Sequence, residues 1–381
     1  MAEKVSVLFA VPAGNAYVQL TEATRQSIVS QTYPQTLLEV IEVQYAASAP
    51  GGQSAAFNAA REVATGAYIV HAEPGIVWDN HKIERQVTQL QNVLNVAGCV
   101  HAMTRRVGNG HSVPMRLDML RHYGLRIGSF LASPWGPGAL LVGKDVSDKL
   151  GAYRLLDHAL WEFAVRLIGR SYPLFLMDED LSIWRVPGVY RNRQVLTPSG
   201  VRHPFLKPYL DRTDIGTLFQ NTPLISEPYG QLVRGALYLK NDDLAVSHAI
   251  FQQVGRDERS ATTCYWHGIV HRREPDFNNA RGWFQKAEGL VAGPVLNQAI
   301  CTLLQQAIQM PDYGKARDVA LVFLRHLKNR ETWDGLYFLN LCQRCNNEND
   351  EALQRLLEDI QEKEFEVLFD WTFRQAIGKA E

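Results

Sequence analysis

Apolar residues follow two different rhythms along this chain. In the first half, short apolar runs alternate with amphipathic stretches. Val5–Val11 is an uninterrupted apolar-rich run closed by Pro12-Ala13-Gly14-Asn15, the pattern of a buried strand and its turn. A helix is predicted over Thr24–Gln31, ending at Tyr33-Pro34, because the residue before a proline disfavours helical geometry. Leu38–Tyr45 reads as a second strand. Gly51-Gly52 opens a helix through Ala55–Ala64 that Thr65-Gly66 ends. Ala67–Ala72 is a third strand, and Asp79–Leu94 a helix with Ile83, Val87, Leu90 and Leu94 on one face. Ala97–Met103 and Gly138–Val142 are further strands, Leu156–Leu167 a helix and Pro173–Met177 a short strand. Asp178-Glu179-Asp180 reads as a solvated turn after that strand. This alternation predicts an α/β domain over residues 1–195, a mostly parallel sheet flanked by helices.

The rhythm changes after that. Prolines 198, 204, 208 and 223 interrupt residues 196–225, which read as a linker or wrapping segment. Residues 226–381 are helical and repetitive. Ala245, Ala280, Ala316 and Ala352 each follow a polar turn, spaced 35, 36 and 36 residues apart. A near-constant period in this range predicts stacked helical hairpins, with the small residue where two helices cross. Gly268, Ala280, Phe284 and Ala287 give the second repeat a pattern that resembles a tetratricopeptide repeat. Glu364–Ile377 is the expected closing helix. The expected architecture is therefore α/β followed by an all-α helical-hairpin repeat domain.

Composition narrows the function classes. With 46% apolar and 21% charged residues and a formal net charge of −1, the chain has ample core but no global attraction for nucleic acid or an acidic membrane. Arg116, Arg121, His122 and Arg126 form the one basic stretch, and its apolar spacing predicts a solvated helix face. No apolar run is long enough to span a membrane, and Met1-Ala2-Glu3-Lys4 runs directly into a strand without an apolar leader. The cysteines, Cys99, Cys264, Cys301, Cys342 and Cys345, are odd in number and scattered, the pattern of reduced thiols in a cytoplasm. Cys342-Gln-Arg-Cys345 lies in a helical pattern without a second pair, so helix packing is its expected role.

Several segments from Lys4 to about Arg185, taken in order, resemble family-2 glycosyltransferases of the GT-A fold. Val5–Val11 with Pro12 and Asn15 resembles that family's first strand and turn. Gln26-Ser-Ile-Val-Ser-Gln-Thr-Tyr-Pro34 resembles its "ESVLAQTYP", and Ser54-Ala-Ala-Phe-Asn58 its "SAARN". Ala64-Thr-Gly-Ala-Tyr-Ile69 resembles "ATGEYI", and Trp78 with Lys82-Ile-Glu-Arg-Gln86 resembles "W…KLERQ". The resemblance implies a nucleotide-sugar donor such as a UDP-sugar, bound beyond the carboxyl ends of the strands. It also implies a carboxylate-held cation for the leaving diphosphate and a carboxylate base for the acceptor.

This chain departs from the pattern at each of those positions. Val43-Gln44-Tyr45-Ala46-Ala47 replaces "VDDGS"; Gln44 remains able to hydrogen-bond a base edge and Tyr45 to stack on one. Glu73-Pro74-Gly75 replaces Asp-Ala-Asp, keeping one carboxylate and placing glycine where a ligand belongs. His71 and Glu73 alternate along a strand, but two ligands hold a hard cation poorly, so no metal is expected. Asp157 lies near the base position, where it is either the base or a helix cap; Leu160-Trp161-Glu162 matches the "DWE" of the family with its Asp lost. Pro187 replaces a late histidine. The expected nucleotide-binding set is thus Pro12, Asn15, Gln44, Tyr45 and Glu73. The expected function is a non-catalytic or atypical transferase domain whose repeats bind a protein partner, through Tyr265, Trp266 and His267 as groove or hairpin-core residues. Metal-independent transfer to a protein or glycan is the competing expectation, and homo-oligomerisation through the repeats a third.

Overall fold

The computed structural model describes residues 3–107, 111–115, 117–186, 194–220, 222–257, 259–310, 314, 316–348 and 350–379. The chain divides into two compact units, Met1–Arg191 and Asn192–Glu381.

The first unit is α/β. Its elements are β1 (Val5–Pro12), α1 (Val18–Val29), β2 (Leu38–Tyr45), α2 (Gly52–Val63), β3 (Tyr68–Ala72), β4 (Ile76–Trp78), α3 (Lys82–Asn92) and β5 (Gly98–Val107). Then come β6 (His111–Met115), α4 (Asp118–Leu131), β7 (Leu140–Gly143), α5 (Lys144–Leu150), α6 (Ala159–Gly169) and β8 (Leu174–Val186). The strands form one sheet in the order β2-β1-β3-β7-β5-β8-β4, with β6 on β5. The pairings make β1, β2, β3, β5 and β8 run one way and β4, β6 and β7 the other. β1 is buried along its whole length between β2 and β3, which is why its sequence is continuously apolar. Its alternate residues feed two cores. Leu8 and Ala10 pack with Phe57, Ala60, Val146 and Phe163 beneath α2, α5 and α6. Val5, Val7 and Phe9 pack with Ile28, Ile83 and Val87 beneath α1 and α3.

Several sequence expectations change here, α1 among them, which begins at Val18 and not at Thr24. α3 stops at Asn92, and Leu94, placed on its apolar face, is outside the helix and 85% exposed. The strand expected at Pro173–Met177 runs on to Val186, because β8 pairs with β5 through two register shifts around Ala102. The acidic run is therefore on a strand and not in a turn. Asp178 pairs with Arg121 at 2.5 Å, Glu179 with Arg85, and Asp180 accepts from Thr104. The basic stretch forms the exposed part of α4, where Arg126 also donates to the carbonyl of Gly169; Arg116 lies outside the described residues.

The second unit is all-helical. After two short helices within the expected linker, α7 (Lys207–Arg212) and α8 (Ile215–Leu218), come α9 (Glu227–Lys240), α10 (Leu244–Asp257), α11 (Ala261–Arg273) and α12 (Phe277–Lys286). They are followed by α13 (Gly293–Gln309), α14 (Ala316–Lys328), α15 (Gly335–Glu348) and α16 (Glu351–Ala376). α9 pairs with α10, α11 with α12, and α13 with α14. At the first two crossings the backbones approach closely. A Cβ on Gly235 would lie 2.5 Å from the Phe251 ring, and one on Gly268 2.9 Å from Phe284. These pairs recur 33 residues apart. The buried small residue matching Ala280 is therefore Ser247; Ala245 is exposed. α16 is a single 26-residue helix where a hairpin helix and a separate closing helix were expected. It packs on α9, α13, α14 and α15, so the last helix returns to the first hairpin. No helix among the described residues is long and apolar enough to cross a membrane. The five cysteines are free; Cys342 and Cys345 are buried in α15, and burial raises their thiols to about 12 and about 11.

Candidate functional site

Three of the expected site residues converge on the first turn of α2. Gly51, at φ +66°, is the cap residue, and a side chain there would meet the backbone of Leu155 at 2.7 Å. That close approach puts Asp157 Oδ1 3.5 Å from the Gly51 amide. A Cβ on Gly52 would lie 3.0 Å from the Tyr45 ring, and Gln53 hydrogen-bonds Glu73. Tyr45, Glu73 and Asp157 thus surround the Gly51-Gly52-Gln53 turn. The Gly-Gly pair is what allows this packing, since only a residue without Cβ fits both contacts. β1, β2 and β3 are parallel neighbours and end at this edge, the side where α/β sheets take ligands.

The remaining expected residues are placed as follows. Pro12 is buried opposite Tyr45 at the end of β1, and the next amide, Ala13, donates to the Tyr45 carbonyl at 2.7 Å. Asn15 opens a 3-10 turn, Asn15–Tyr17; its side chain lies outside the described residues. Gln44 does not share Tyr45's face. Tyr45 packs with Ile41 and Val43 against the α2 core, while Gln44 alternates to the other side and is exposed. His71 is 3% exposed and bonds Tyr153 Oη at 2.6 Å inside a cage with Phe57 and Phe163, so it does not join Glu73 in a metal site. Burial lowers its imidazole to about 3. Asp157 does not cap its own helix, since α6 begins at Ala159 after His158 with no side-chain cap. The retained Trp161-Glu162 is structural. Glu162 is fully buried between Arg154 and Arg166 at 3.2 and 3.0 Å, and Trp161 donates to the Ser129 carbonyl. Pro187 lies outside the described residues.

Gly75 stands where the sequence resemblance would place a second acidic residue. Its φ is +92°, and a Cβ there would stand 2.5 Å from the Arg185 carbonyl oxygen. Both of its backbone groups are engaged. Its amide donates to Thr24 Oγ1 at 3.0 Å, and its carbonyl accepts from Arg185 N at 2.7 Å. These contacts extend the antiparallel β4–β8 ladder, in which Ile76 faces Trp184. A carboxylate side chain cannot stand there without separating β4 from β8. Among the described residues, Glu73 belongs to no group of three metal-ligating side chains.

The site's acidic groups are shifted by their surroundings. Burial raises the Glu73 carboxyl to about 7, against an ordinary value of 4.5, and Gln53 offsets only part of this. Burial and the nearby Glu73 raise Tyr45 to about 12. The folded chain therefore holds a proton on Glu73 that the unfolded chain releases, and stability falls as pH rises from 4.5 through 7. Glu73→Gln removes that loss. Its stability relative to the parent chain is expected to be higher at pH 8 than at pH 5 by on the order of 1–3 kcal/mol. Urea midpoints at the two pH values measure this, and an equal difference at both would contradict it.

One contributor escaped the sequence reading. Gln53, next to the Gly-Gly pair, holds Glu73. Lys82 is buried 4.3 Å from the Trp78 ring, bonded to Gln86, with its amine lowered to about 7 by burial. Gln86 in turn donates to the carbonyls of Cys99 and Ala139, so the "W…KLERQ" likeness reflects packing of α3 on the sheet.

No protein-family model and no curated protein matches the chain. Among solved structures it is similar to S. aureus TarS 1-349 in complex with UDP-GlcNAc, at 12% identity and TM-score 0.46 over 74% of this chain and 90% of that one. It is also similar to the mannosyltransferase PcManGT from Pyrobaculum calidifontis in complex with GDP-Man and Mn2+, at 16% identity and TM-score 0.36 over 92% and 89%.

Proposed function

We propose that the α/β unit is a glycosyltransferase-like domain that takes a nucleoside diphosphate or its sugar conjugate at the first turn of α2. It does so without a carboxylate-held divalent cation and without metal-dependent sugar transfer. The observation that carries this reading is Gly75, whose place in the β4–β8 ladder excludes the second acidic ligand. The nucleotide part is supported by the ordered sequence resemblance through Arg185 and by the convergence of Tyr45, Gln53 and Glu73 on a glycine-rich helix start. Such a helix start offers positive dipole to phosphate, while its Gly51 and Gly52 amides already donate to Asp157 Oδ1 and the Ala49 carbonyl. A carboxyl that titrates near 7 is partly neutral at physiological pH, which lowers its repulsion of a diphosphate.

Titration calorimetry of the full chain with UDP, with and without Mn2+, tests this. UDP is expected to bind with an affinity that Mn2+ changes by less than about threefold, since a single carboxylate adds little cation affinity. UDP-sugar hydrolysis is expected to stay at the buffer rate. Binding that requires Mn2+, or no UDP binding at all, would sink the proposal. The second reading is metal-independent transfer with Asp157 as base, favoured by that carboxylate's exposure and its position beside Gly51. UDP-sugar turnover without Mn2+ that disappears in Asp157→Ala would establish it over the first.

A further inference from the structure

The helical unit carries a cluster of imidazoles that the α/β site does not involve. His267 and His271 stand one turn apart on α11, and His248 faces them from α10. The His267 and His271 rings are nearly parallel at 5.0 Å, and His248 meets both edge-on at 4.6 and 4.9 Å. One ring nitrogen from each lies within 4.8 Å of the others. His267 is 2% exposed and its Nε2 has no hydrogen-bond partner, an unusual state for a buried polar atom. Its ring is held flat against Trp283 at 3.9 Å. His271 is also buried, and its Nδ1 lies 3.2 Å from Glu274 Oε2.

We propose that His248, His267 and His271 form a three-imidazole site for a divalent transition cation of the Zn2+ class, with the fourth position open to solvent beside half-buried His248. Three neutral imidazoles and no carboxylate ligand suit Zn2+ and not Mg2+ or Ca2+, which take oxygen ligands. Lys286, Glu274 and Asp276 are the charged neighbours that act on the cluster. Tetrahedral ligation at about 2.0–2.1 Å brings nitrogens to about 3.3 Å of one another, so the rings close by roughly 1.5 Å on binding. Glu274 then has the role usual for a carboxylate behind a metal-bound histidine, fixing the tautomer by accepting from Nδ1 so that Nε2 faces the cation. The Asn279 amide, 3.3 Å from that Nε2, is the group displaced. The cation would tie α10 to α11, and hence the first hairpin to the second.

The test uses the full chain without an affinity tag, stripped with EDTA and reloaded with Zn2+, or with Co2+ as a spectroscopic probe. The expected result is one Zn2+ per chain retained through gel filtration. Zn2+ but not Mg2+ is expected to raise the melting temperature, and Co2+ to give tetrahedral visible bands without thiolate charge-transfer absorption. His248→Gln and His271→Gln are each expected to bind at least about tenfold more weakly, since even loss of an outer-sphere partner costs that much. His248→Gln is the variant whose metal-free melting temperature should stay unchanged. Retention well below one equivalent, thiolate absorption in the Co2+ spectrum, or undiminished binding by His248→Gln would each overturn the proposal.

Discussion

Replacing Gly75 with Asp, which restores the acidic motif on paper, is expected to destabilise the α/β unit by about 3–5 kcal/mol and to create no Mn2+ site. Three effects add. A non-glycine residue at φ +92° costs about 1–2 kcal/mol in backbone strain. The new Cβ would sit 2.5 Å from the Arg185 carbonyl oxygen, a backbone atom that moves only if the end of the β4–β8 pair opens. Opening it loses the 2.7 Å bond from Arg185 N, worth roughly 1 kcal/mol, and sets a carboxylate against a carbonyl. Gly75→Ala separates strain and clash from charge and is expected to lose somewhat less than the Asp variant. Urea unfolding of the three chains gives the energies, and calorimetry with Mn2+ gives the binding. A Gly75→Asp chain as stable as its parent, or one that gains Mn2+ affinity, would contradict the exclusion of a side chain at this position.

Glu364→Ala is expected to destabilise the helical unit by about 3–5 kcal/mol, because it leaves Arg272 charged and buried without a partner. Both side chains are 1% exposed, and the guanidinium reaches the two carboxylate oxygens at 3.1 and 2.5 Å. Tyr265 donates to the same carboxylate, Trp333 donates to Tyr265, and Arg272 lies 4.5 Å over the Phe338 ring. The network joins α11, α15 and α16. Burial and the nearby Glu364 hold the Tyr265 phenol well above its ordinary range, so it stays a donor. A melting temperature lower by roughly 6–20 °C is the expected reading for a unit of this size. The double change Arg272→Met with Glu364→Leu is expected to recover most of the loss, since desolvation offsets much of what a buried pair contributes. A Glu364→Ala chain within about 1 kcal/mol of its parent would show the pair to be marginal.

The same network corrects the expectation of a partner surface at Tyr265, Trp266 and His267. All three are at most 3% exposed. Trp266 donates to Thr372 on α16 and stacks on Phe251, so these side chains are hairpin core. The sequence offered them as groove or core, and the choice was not legible locally. It depends on α16 returning to α9, a contact more than a hundred residues distant.

What was legible follows the range of the interaction. Strand β2 ends where its apolar alternation ends, at Leu38 and Tyr45, because the pattern and the pleat share one period. The sequence shows only the first part of β8, because its second half carries Asp178, Glu179 and Asp180, whose partners come from α3, α4 and β5. The Glu73-Pro74-Gly75 departure was visible in the sequence. Its cause was not, since the Arg185 carbonyl that forbids a side chain belongs to a strand 110 residues away. Likewise Gly51-Gly52 read as a helix start, but its closeness to Tyr45 and Asp157 came only with the packing of residues 155–157 over α2.

A crystal of the full chain soaked with UDP and Mn2+, with data collected at the manganese edge, tests the central claim most directly. The account predicts UDP with its diphosphate at Gly51-Gly52-Gln53 and no anomalous peak within ligand distance of Glu73. A manganese peak shared by Glu73 and the diphosphate would contradict it.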